Sequence, residues 1–239
     1  MTPALLDHAF VLIVLGLVFP FGGWWAYRRF LGRVEREGGA ALVREYRITL
    51  VWLLGVGLGA GAVWLAGGRA LTGLGFAPSR GEGDATLAIA IGAGAGLLTR
   101  PILAAVSPKV AASMRKQFAS LEPFLPKTKE QLAWGLVVSV FAGVFEEIAY
   151  RGYLMAYFQS WFSDWGALAA SSILFGFAHF YQGRLGTLVT TLLGGALGWL
   201  YLETGSLLLP MILHAAVDIS AMLTAYVVLK ASRSAPARS

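Results

Sequence analysis

The chain has 239 residues, of which 57% are hydrophobic and 13% are charged, and its mean hydropathy is +0.67. About a quarter of the residues of a soluble domain are charged, so this composition indicates an integral membrane protein. The absence of cysteine excludes disulfides, cysteine-ligated zinc and thiol nucleophiles. The net charge of +6 does not indicate nucleic-acid binding, because the basic residues lie in short loops between apolar segments and therefore report topology.

Seven segments are apolar over about the 20 residues that a helix needs to cross a bilayer. We therefore expect an all-α fold, a polytopic transmembrane helical bundle of about seven spans that contacts the lipid bilayer. The predicted spans are residues 9–27, 48–67, 85–106, 132–158, 165–183, 185–203 and 207–229.

The distribution of Lys and Arg predicts the orientation of these spans. The loops 28–47 and 100–131 contain six basic residues each, whereas 68–84 contains two and the stretch before the first span contains none. Basic residues accumulate on the cytoplasmic side, so the N-terminus is expected outside and the C-terminus in the cytoplasm. Because Arg28 and Arg29 follow the first span and no basic residue precedes it, we do not expect a cleaved signal peptide.

Segment 107–131 is long for a connector and contains apolar residues at helical spacing. We interpret it as a helix on the cytoplasmic interface, with a solvated loop helix as the alternative. Pro123 and Pro126 are expected to end it before the fourth span. The apolar positions are Val110, Met114, Phe118 and Leu121.

The fourth span carries two adjacent carboxylates and an arginine, Glu146, Glu147 and Arg151. Ionisable groups at bilayer depth cost roughly 2.5–3.5 kcal/mol each, so they indicate a functional site by default. On a helix, Glu147 and Arg151 are four residues apart and can pair. Glu146 lies about 100° around the helix and is left free to act as a base, a metal ligand or an acid. The structural alternative is a buried ion pair that fixes helix register, with Glu146 merely hydrogen-bonded.

Two later spans carry further polar groups. His179 follows aromatic residues in the fifth span, and His214 and Asp218 lie four residues apart in the seventh. The spacing of His214 and Asp218 suits two ligands of one metal ion or a carboxylate that orients an imidazole. Structural alternatives remain open for both spans, namely a packed His179 and a self-satisfied His214–Asp218 pair.

These residues together resemble the CPBP family of intramembrane proteases, which includes type II CAAX prenyl proteases and many bacterial immunity-type proteins. The family's first motif is a Glu-Glu pair with Arg four residues after the second Glu, here Glu146-Glu147-Ile-Ala-Tyr-Arg151. The second, Phe-x-x-x-His, reads Phe175-Gly-Phe-Ala-His179, and the last, His-x-x-x-Asn or Asp, reads His214-Ala-Ala-Val-Asp218. The resemblance covers residues 125–222, about two fifths of the chain, and implies an integral protein of the prokaryotic cytoplasmic (inner) membrane.

The resemblance divides the chain into N-terminal transmembrane helices with the interfacial helix (1–124), a catalytic helical core (125–230) and a cytoplasmic tail (231–239). It implies peptide-bond hydrolysis in a membrane-embedded or lipidated protein or peptide. Glu146 would be the general base on a water shared with His179, and the Glu147–Arg151 pair would organise the site. His214 and Asp218 would bind a metal ion, with zinc expected, or stabilise the oxyanion. Glu146 and His179 are further possible ligands in a metalloprotease version.

The resemblance is not exact at one position. The prenyl proteases usually have Asn where this chain has Asp218, and an ionised Asp cannot donate a hydrogen bond to an oxyanion. This departure favours a metal-ligand or histidine-orienting role for Asp218 over a CAAX-specific activity.

Two functions from other classes compete with the protease. A non-catalytic membrane scaffold or immunity protein would retain the fold and bind a partner. A proton-coupled transporter would use intramembrane Glu, His and Asp as a relay, but it requires polar residues along the whole path, and the outer halves of the spans offer few.

Overall fold

A computed structural model of the chain describes residues 1–78 and 83–234. Helices account for 87% of it, and no strand occurs among the described residues, which confirms the predicted all-α class. We number eight helices: α1 Leu5–Glu37, α2 Ala40–Ala66, α3 Gly83–Val106, α4 Pro108–Phe118, α5 Lys129–Phe158, α6 Asp164–Ala178, α7 Gly183–Thr204 and α8 Leu208–Ser234. Phe10–Val18 in α1 and Ile148–Leu154 in α5 are π-helical.

Five of these helices, α1, α2, α5, α7 and α8, are long and apolar enough to cross a membrane. Two shorter apolar helices, α6 and the Ile91–Val106 part of α3, correspond to the other two predicted spans. Large apolar side chains such as Leu12 (63% exposed) and Val51 (69%) point outward, as the lipid-facing side of a membrane bundle requires. About seven spans therefore agree with the structure, and the orientation stays a prediction.

Two predicted boundaries were wrong. Residues 28–47 form little loop, because α1 continues to Glu37 and α2 begins at Ala40 after a short turn. The fifth span was predicted to reach residue 183, but α6 ends at Ala178. A single 3-10 turn, Phe180–Gln182, follows, and Gly183 takes a φ of +82° that favours glycine and lets α7 begin at once.

The helix predicted within 107–131 is present as α4 and is followed by the 3-10 turn Ala119–Phe124, which contains Pro123. The predicted tail 231–239 is not a separate segment at its start, because α8 continues to Ser234. Residues 235–239 lie outside the described residues, as does Arg80 of the 68–84 loop.

Helix α5 lies at the centre of the bundle and packs between α2 and α8, while α6 packs on α7. Its first turn is fixed by a capping box, in which Thr128 Oγ1 accepts from the Gln131 amide (3.2 Å) and Gln131 Oε1 accepts from the Thr128 amide (3.1 Å). Gln131 Nε2 also donates to the Gly39 carbonyl (2.9 Å), which ties the start of α5 to the α1–α2 turn.

Close approach of α5 and α8 depends on Gly143. A Cβ atom built on Gly143 would lie 2.7 Å from the Ala215 amide nitrogen and 2.8 Å from the Met211 carbonyl oxygen. Only a residue without a side chain permits this backbone contact. The contact brings the α5 residues that follow Gly143 next to His214 on α8.

We predict that Gly143→Ala destabilises the bundle by about 1–3 kcal/mol, the usual cost of overpacking a tight contact. The midpoint of thermal unfolding in detergent measures this effect. Gly61→Ala is the matched control, because a Cβ on Gly61 meets no atom within 4 Å and alanine is the better helix former. Equal midpoints for the two variants would contradict the prediction.

Candidate active site

Glu146 and Glu147 occupy the last α-helical positions of α5, immediately before the π-helical stretch Ile148–Leu154. Both residues are buried, with 5% and 0% of their surface exposed. Short π-helical stretches inside α-helices are rare and are often found at functional sites. Two adjacent carboxylates therefore enter the interior at a local irregularity of the central helix.

Glu147 connects three helices. Its Oε1 accepts hydrogen bonds from Arg151 Nη1 (2.6 Å) and His214 Nδ1 (2.7 Å), and Arg151 Nη2 also donates to the Gly194 carbonyl of α7 (3.1 Å). Arg151 is 1% exposed and His214 is 3% exposed. The ion pair predicted within α5 is present, and it also fixes the position of His214 on α8.

The ring of Phe175 on α6 packs against four residues of the site. The Arg151 guanidinium lies 4.3 Å from the ring centroid, and the rings of Tyr150, His179 and His214 lie 5.0, 4.8 and 5.7 Å from it. Such edge-on aromatic and cation–π contacts have preferred geometries that hold side chains in place. Phe175 therefore positions both histidines relative to α5.

His179 lies at the C-terminal end of α6. Its Nδ1 is 2.9 Å from the Phe175 carbonyl oxygen, and because a carbonyl can only accept, Nδ1 carries the proton of this hydrogen bond. Nε2 is left to face Glu146, with its nitrogen 4.0 Å from Glu146 Oε2. The hydrogen bond thus turns the second nitrogen of the ring toward the carboxylate.

His214 is oriented in a similar way by Glu147. Because Nδ1 contacts Glu147, Nε2 faces the site and lies 3.7 Å from Glu146 Oε2 and 3.8 Å from Asp218 Oδ2. The carboxylate that hydrogen-bonds this imidazole is thus Glu147. Asp218 lies 3.8 Å from Nε2 without a hydrogen bond to the ring, and its side chain is 36% exposed, so the structure places it near His214 but gives the orienting hydrogen bond to Glu147.

Glu146 Oε2 is buried and has no hydrogen-bond partner within the described protein, and Glu147 Oε2 and the Tyr150 hydroxyl share this property. Buried polar atoms are nearly always hydrogen-bonded, so such a group of atoms calls for water or a ligand. A cavity of about 110 Å³ reaches Glu146 and His179. Since water takes up about 30 Å³ per molecule, this space can hold several.

A zinc ion is the cofactor expected from the sequence. The described residues contain no group of three or more His, Asp or Glu side chains spaced closely enough to hold a metal ion. In tetrahedral zinc sites with bonds of about 2.0–2.1 Å, neighbouring donor atoms lie about 3.3 Å apart. The distances of 3.7–4.0 Å from Glu146 to the histidines exceed that spacing, so the geometry does not fit a bound zinc and we derive no step through one.

All six residues singled out in the sequence converge on one region: Glu146, Glu147, Arg151, His179, His214 and Asp218. Sequence reasoning missed the packing role of Phe175, although the residue opens the second motif. It also missed Tyr150, which lies four residues after Glu146 and could have been found by helical spacing. No sequence signal pointed to α1 and α2, yet Tyr27 and Trp52 of these helices line the same cavity.

The Arg151–Glu147 pair yields a test of stability. We expect Arg151→Ala to destabilise the protein by about 3–5 kcal/mol, because it leaves a carboxylate buried without its partner. The double variant Glu147→Gln, Arg151→Met should recover part of this loss, since neither charge remains. Unfolding midpoints in detergent measure both effects, with the exposed Arg115→Ala as control. A loss no larger than that of the control would contradict the buried pairing.

Comparison with known proteins agrees with this geometry. Residues 128–220 match a family described as type II CAAX prenyl endopeptidase Rce1-like. No curated protein and no solved structure matches the chain significantly. The match begins at Thr128, the N-cap of α5, and extends past Asp218, so it contains all six site residues. Residues 128–220 are therefore similar to the Rce1-like type II CAAX prenyl endopeptidases, which supports the resemblance to the CPBP intramembrane proteases.

Proposed function

We propose that the protein is an intramembrane endopeptidase that hydrolyses a peptide bond in a membrane-associated or lipidated protein tail. The observation that carries the proposal is the unpaired, buried Glu146 Oε2, which faces Nε2 of His179 at 4.0 Å and Nε2 of His214 at 3.7 Å beside a cavity. A carboxylate with two imidazoles beside a water-sized space can hold and activate a water molecule.

The separation of Glu146 and His179 suits one bridging water. A water that makes hydrogen bonds of about 2.8 Å to both atoms spans 4.0 Å with an angle of about 90° at its oxygen. Nε2 of neutral His179 accepts, because its proton is on Nδ1, and the Glu146 carboxylate also accepts. Both protons of the water are thereby engaged, and an oxygen lone pair is left for the substrate carbonyl.

The reaction follows from this arrangement. As the water oxygen bonds to the carbonyl carbon, one water proton passes to Glu146, and the carbonyl oxygen becomes an oxyanion. Glu146 then delivers that proton to the amide nitrogen, and the oxyanion re-forms the carbonyl as the carbon–nitrogen bond breaks. The products are an amine and a carboxylic acid that keeps the second water proton. Glu146 is therefore base in the first step and acid in the second.

His214 is the residue we assign to the oxyanion. With Nδ1 donating to Glu147, Nε2 carries an N–H only when the ring is the imidazolium, a form that the nearby Glu147 and Asp218 carboxylates stabilise; that N–H is then aimed at the space in front of Glu146. Arg151 holds Glu147 in place, and both are positioning residues. Asp218 cannot donate when ionised, and its position near Nε2 suits an electrostatic role toward the His214 ring.

We predict that Glu146→Gln lowers cleavage by about 10²–10⁴-fold, the range for loss of a general base. His214→Ala should lower the cleavage rate by about 10²–10³-fold, as the loss of one oxyanion donor does. His179→Ala should lower it by no more than Glu146→Gln does. The assay is cleavage of a candidate membrane-anchored peptide by protein in vesicles, with product identified by mass spectrometry. Asp218→Asn, which keeps the shape of the side chain, should retain activity within about tenfold of the wild type.

The exposed Glu130→Gln, on the same helix, is the matched control for these variants. Full activity of the three variants Glu146→Gln, His179→Ala and His214→Ala would refute the mechanism. In cells, Glu146→Gln at normal expression should lose function. Retention of function there would instead favour a non-catalytic scaffold.

Metal analysis of the purified protein distinguishes a zinc-dependent site from a metal-free site. Since the observed distances do not fit zinc, we expect active protein purified without added metal to contain far less than one zinc per chain. Treatment with a chelator should leave cleavage unchanged. Stoichiometric zinc whose removal abolishes activity would contradict this expectation and restore the metalloprotease version.

A further inference from the structure

The cavity at Glu146 is built mainly by the part of the chain that lies outside the Rce1-like match. Of the residues that the structure describes, thirteen line it, and nine of these precede residue 128. Helices α1 and α2 contribute four each, and the four residues from within the match include Glu146 and His179. The family-matched part thus supplies the chemistry, whereas α1 and α2 supply the opposite wall.

This wall continues away from the catalytic residues. A second cavity of about 250 Å³ lies between α1 and α2, and Phe19 and Trp52 line both cavities. Its outer flank reaches the surface, where Val51 is 69% exposed and Val18 is 40% exposed. We define the two cavities and their junction at Phe19 and Trp52 as the α1–α2 groove. Together the two cavities reach from the lipid-facing surface to Glu146, with Phe19 and Trp52 at their junction.

The chemistry of the groove changes along its length. Within residues 1–78 and 83–234, the outer part is lined only by Val, Phe, Trp and Gly residues, on helices whose backbone groups are bonded internally. A peptide backbone placed there would have no hydrogen-bond partners, which is costly in an apolar setting. The inner part contains Thr49, Tyr181, His179 and Glu146, which can bond a backbone. The outer part therefore suits an apolar side chain and the inner part suits the peptide group that carries it.

From this arrangement we infer that the α1–α2 groove is the specificity element of the site. It binds a large apolar side chain of the substrate residue next to the scissile bond, and Phe19 and Trp52 set the size that is accepted. The inference rests on the proposed peptidase function and adds the residues that select the substrate. The catalytic residues lie at the inner end of the groove, so a side chain seated in it places its own peptide group beside Glu146.

Gly55 allows the groove to be filled without disturbing the fold. It lines the outer part, and a Cβ built on it meets no atom within 4 Å. Gly61 lies on the same helix, also has no atom within 4 Å of a built Cβ, and lines neither cavity. Gly55→Leu and Gly61→Leu are therefore a matched pair, and Trp52→Ala is the variant that widens the junction.

The experiment uses full-length protein in phosphatidylcholine vesicles and one apolar peptide, with Ala, Leu or Trp next to the scissile bond. Gly55→Leu should lower the ratio of kcat/KM for the Trp peptide to that for the Ala peptide at least tenfold. Trp52→Ala should raise that ratio, and Gly61→Leu should leave it within twofold of the wild type. Active enzyme with the same ratio in Gly55→Leu and Gly61→Leu would overturn the assignment of the groove.

A readout without turnover separates this inference from the proposed function. A peptide with a benzophenone side chain at the same position is cross-linked to the Glu146→Gln variant, and the attachment sites are read by mass spectrometry. Attachment to Val14, Val51 or Val56 supports the groove. Attachment only elsewhere overturns it, whether or not the wild type cleaves. If the peptide attaches to the groove but the wild type cleaves none of the peptides, the peptidase function is contradicted and the groove assignment is not.

Discussion

The hydrogen bonds that Glu147 accepts from Arg151 and His214 determine how the rest of the site is built. These groups come from α5 and α8 and are almost completely buried. Burying an ion pair is costly, and the attraction between the charges repays the cost only when the remaining hydrogen bonds are also made. Arg151 meets this requirement with the Gly194 carbonyl and the face of Phe175. The result is a polar junction that fixes one histidine of the site to the central helix.

The same junction explains why two adjacent carboxylates behave differently. Glu147 accepts hydrogen bonds from a cation and an imidazole through Oε1, so its side chain is held in one position. Glu146 points to a neighbouring face of α5, where both imidazoles present Nε2 at 3.7–4.0 Å and none of the residues that the structure describes donates to Oε2. Pairs of titratable groups in contrasting environments are a common way to divide catalytic roles. Here a difference of one position in sequence produces that contrast.

Part of this structure could be predicted from the sequence, because it depends on residues that are close together in the chain. The spans follow from the cost of exposing polar groups to lipid, and the Glu147–Arg151 pair follows from helical spacing. The partner of His214 did not follow, because spacing favoured Asp218, whereas the observed partner, Glu147, is 67 residues away in sequence. The end of α6 at Ala178 was also missed, because the predicted span 165–183 was drawn to the length that a bilayer core demands.

The wall of the cavity could not be predicted for a related reason. An aromatic residue such as Trp52 has the same hydropathy whether it faces lipid or a substrate groove, so only tertiary structure distinguishes the two. The structure fixes α1 beside the site at both ends. Near its start, Asp7 accepts from Arg69 and from Tyr153 of α5, each at 2.7 Å.

Further along α1, Trp24 stacks on Phe180 and Tyr27 packs against Tyr181, the residues that follow His179. The turn that carries His179 thus also contacts the helix that forms the opposite wall of the cavity. A shift of α1 large enough to widen the groove would have to break these aromatic contacts and displace His179 as well. The width of the groove and the position of His179 are therefore coupled through the same aromatic side chains.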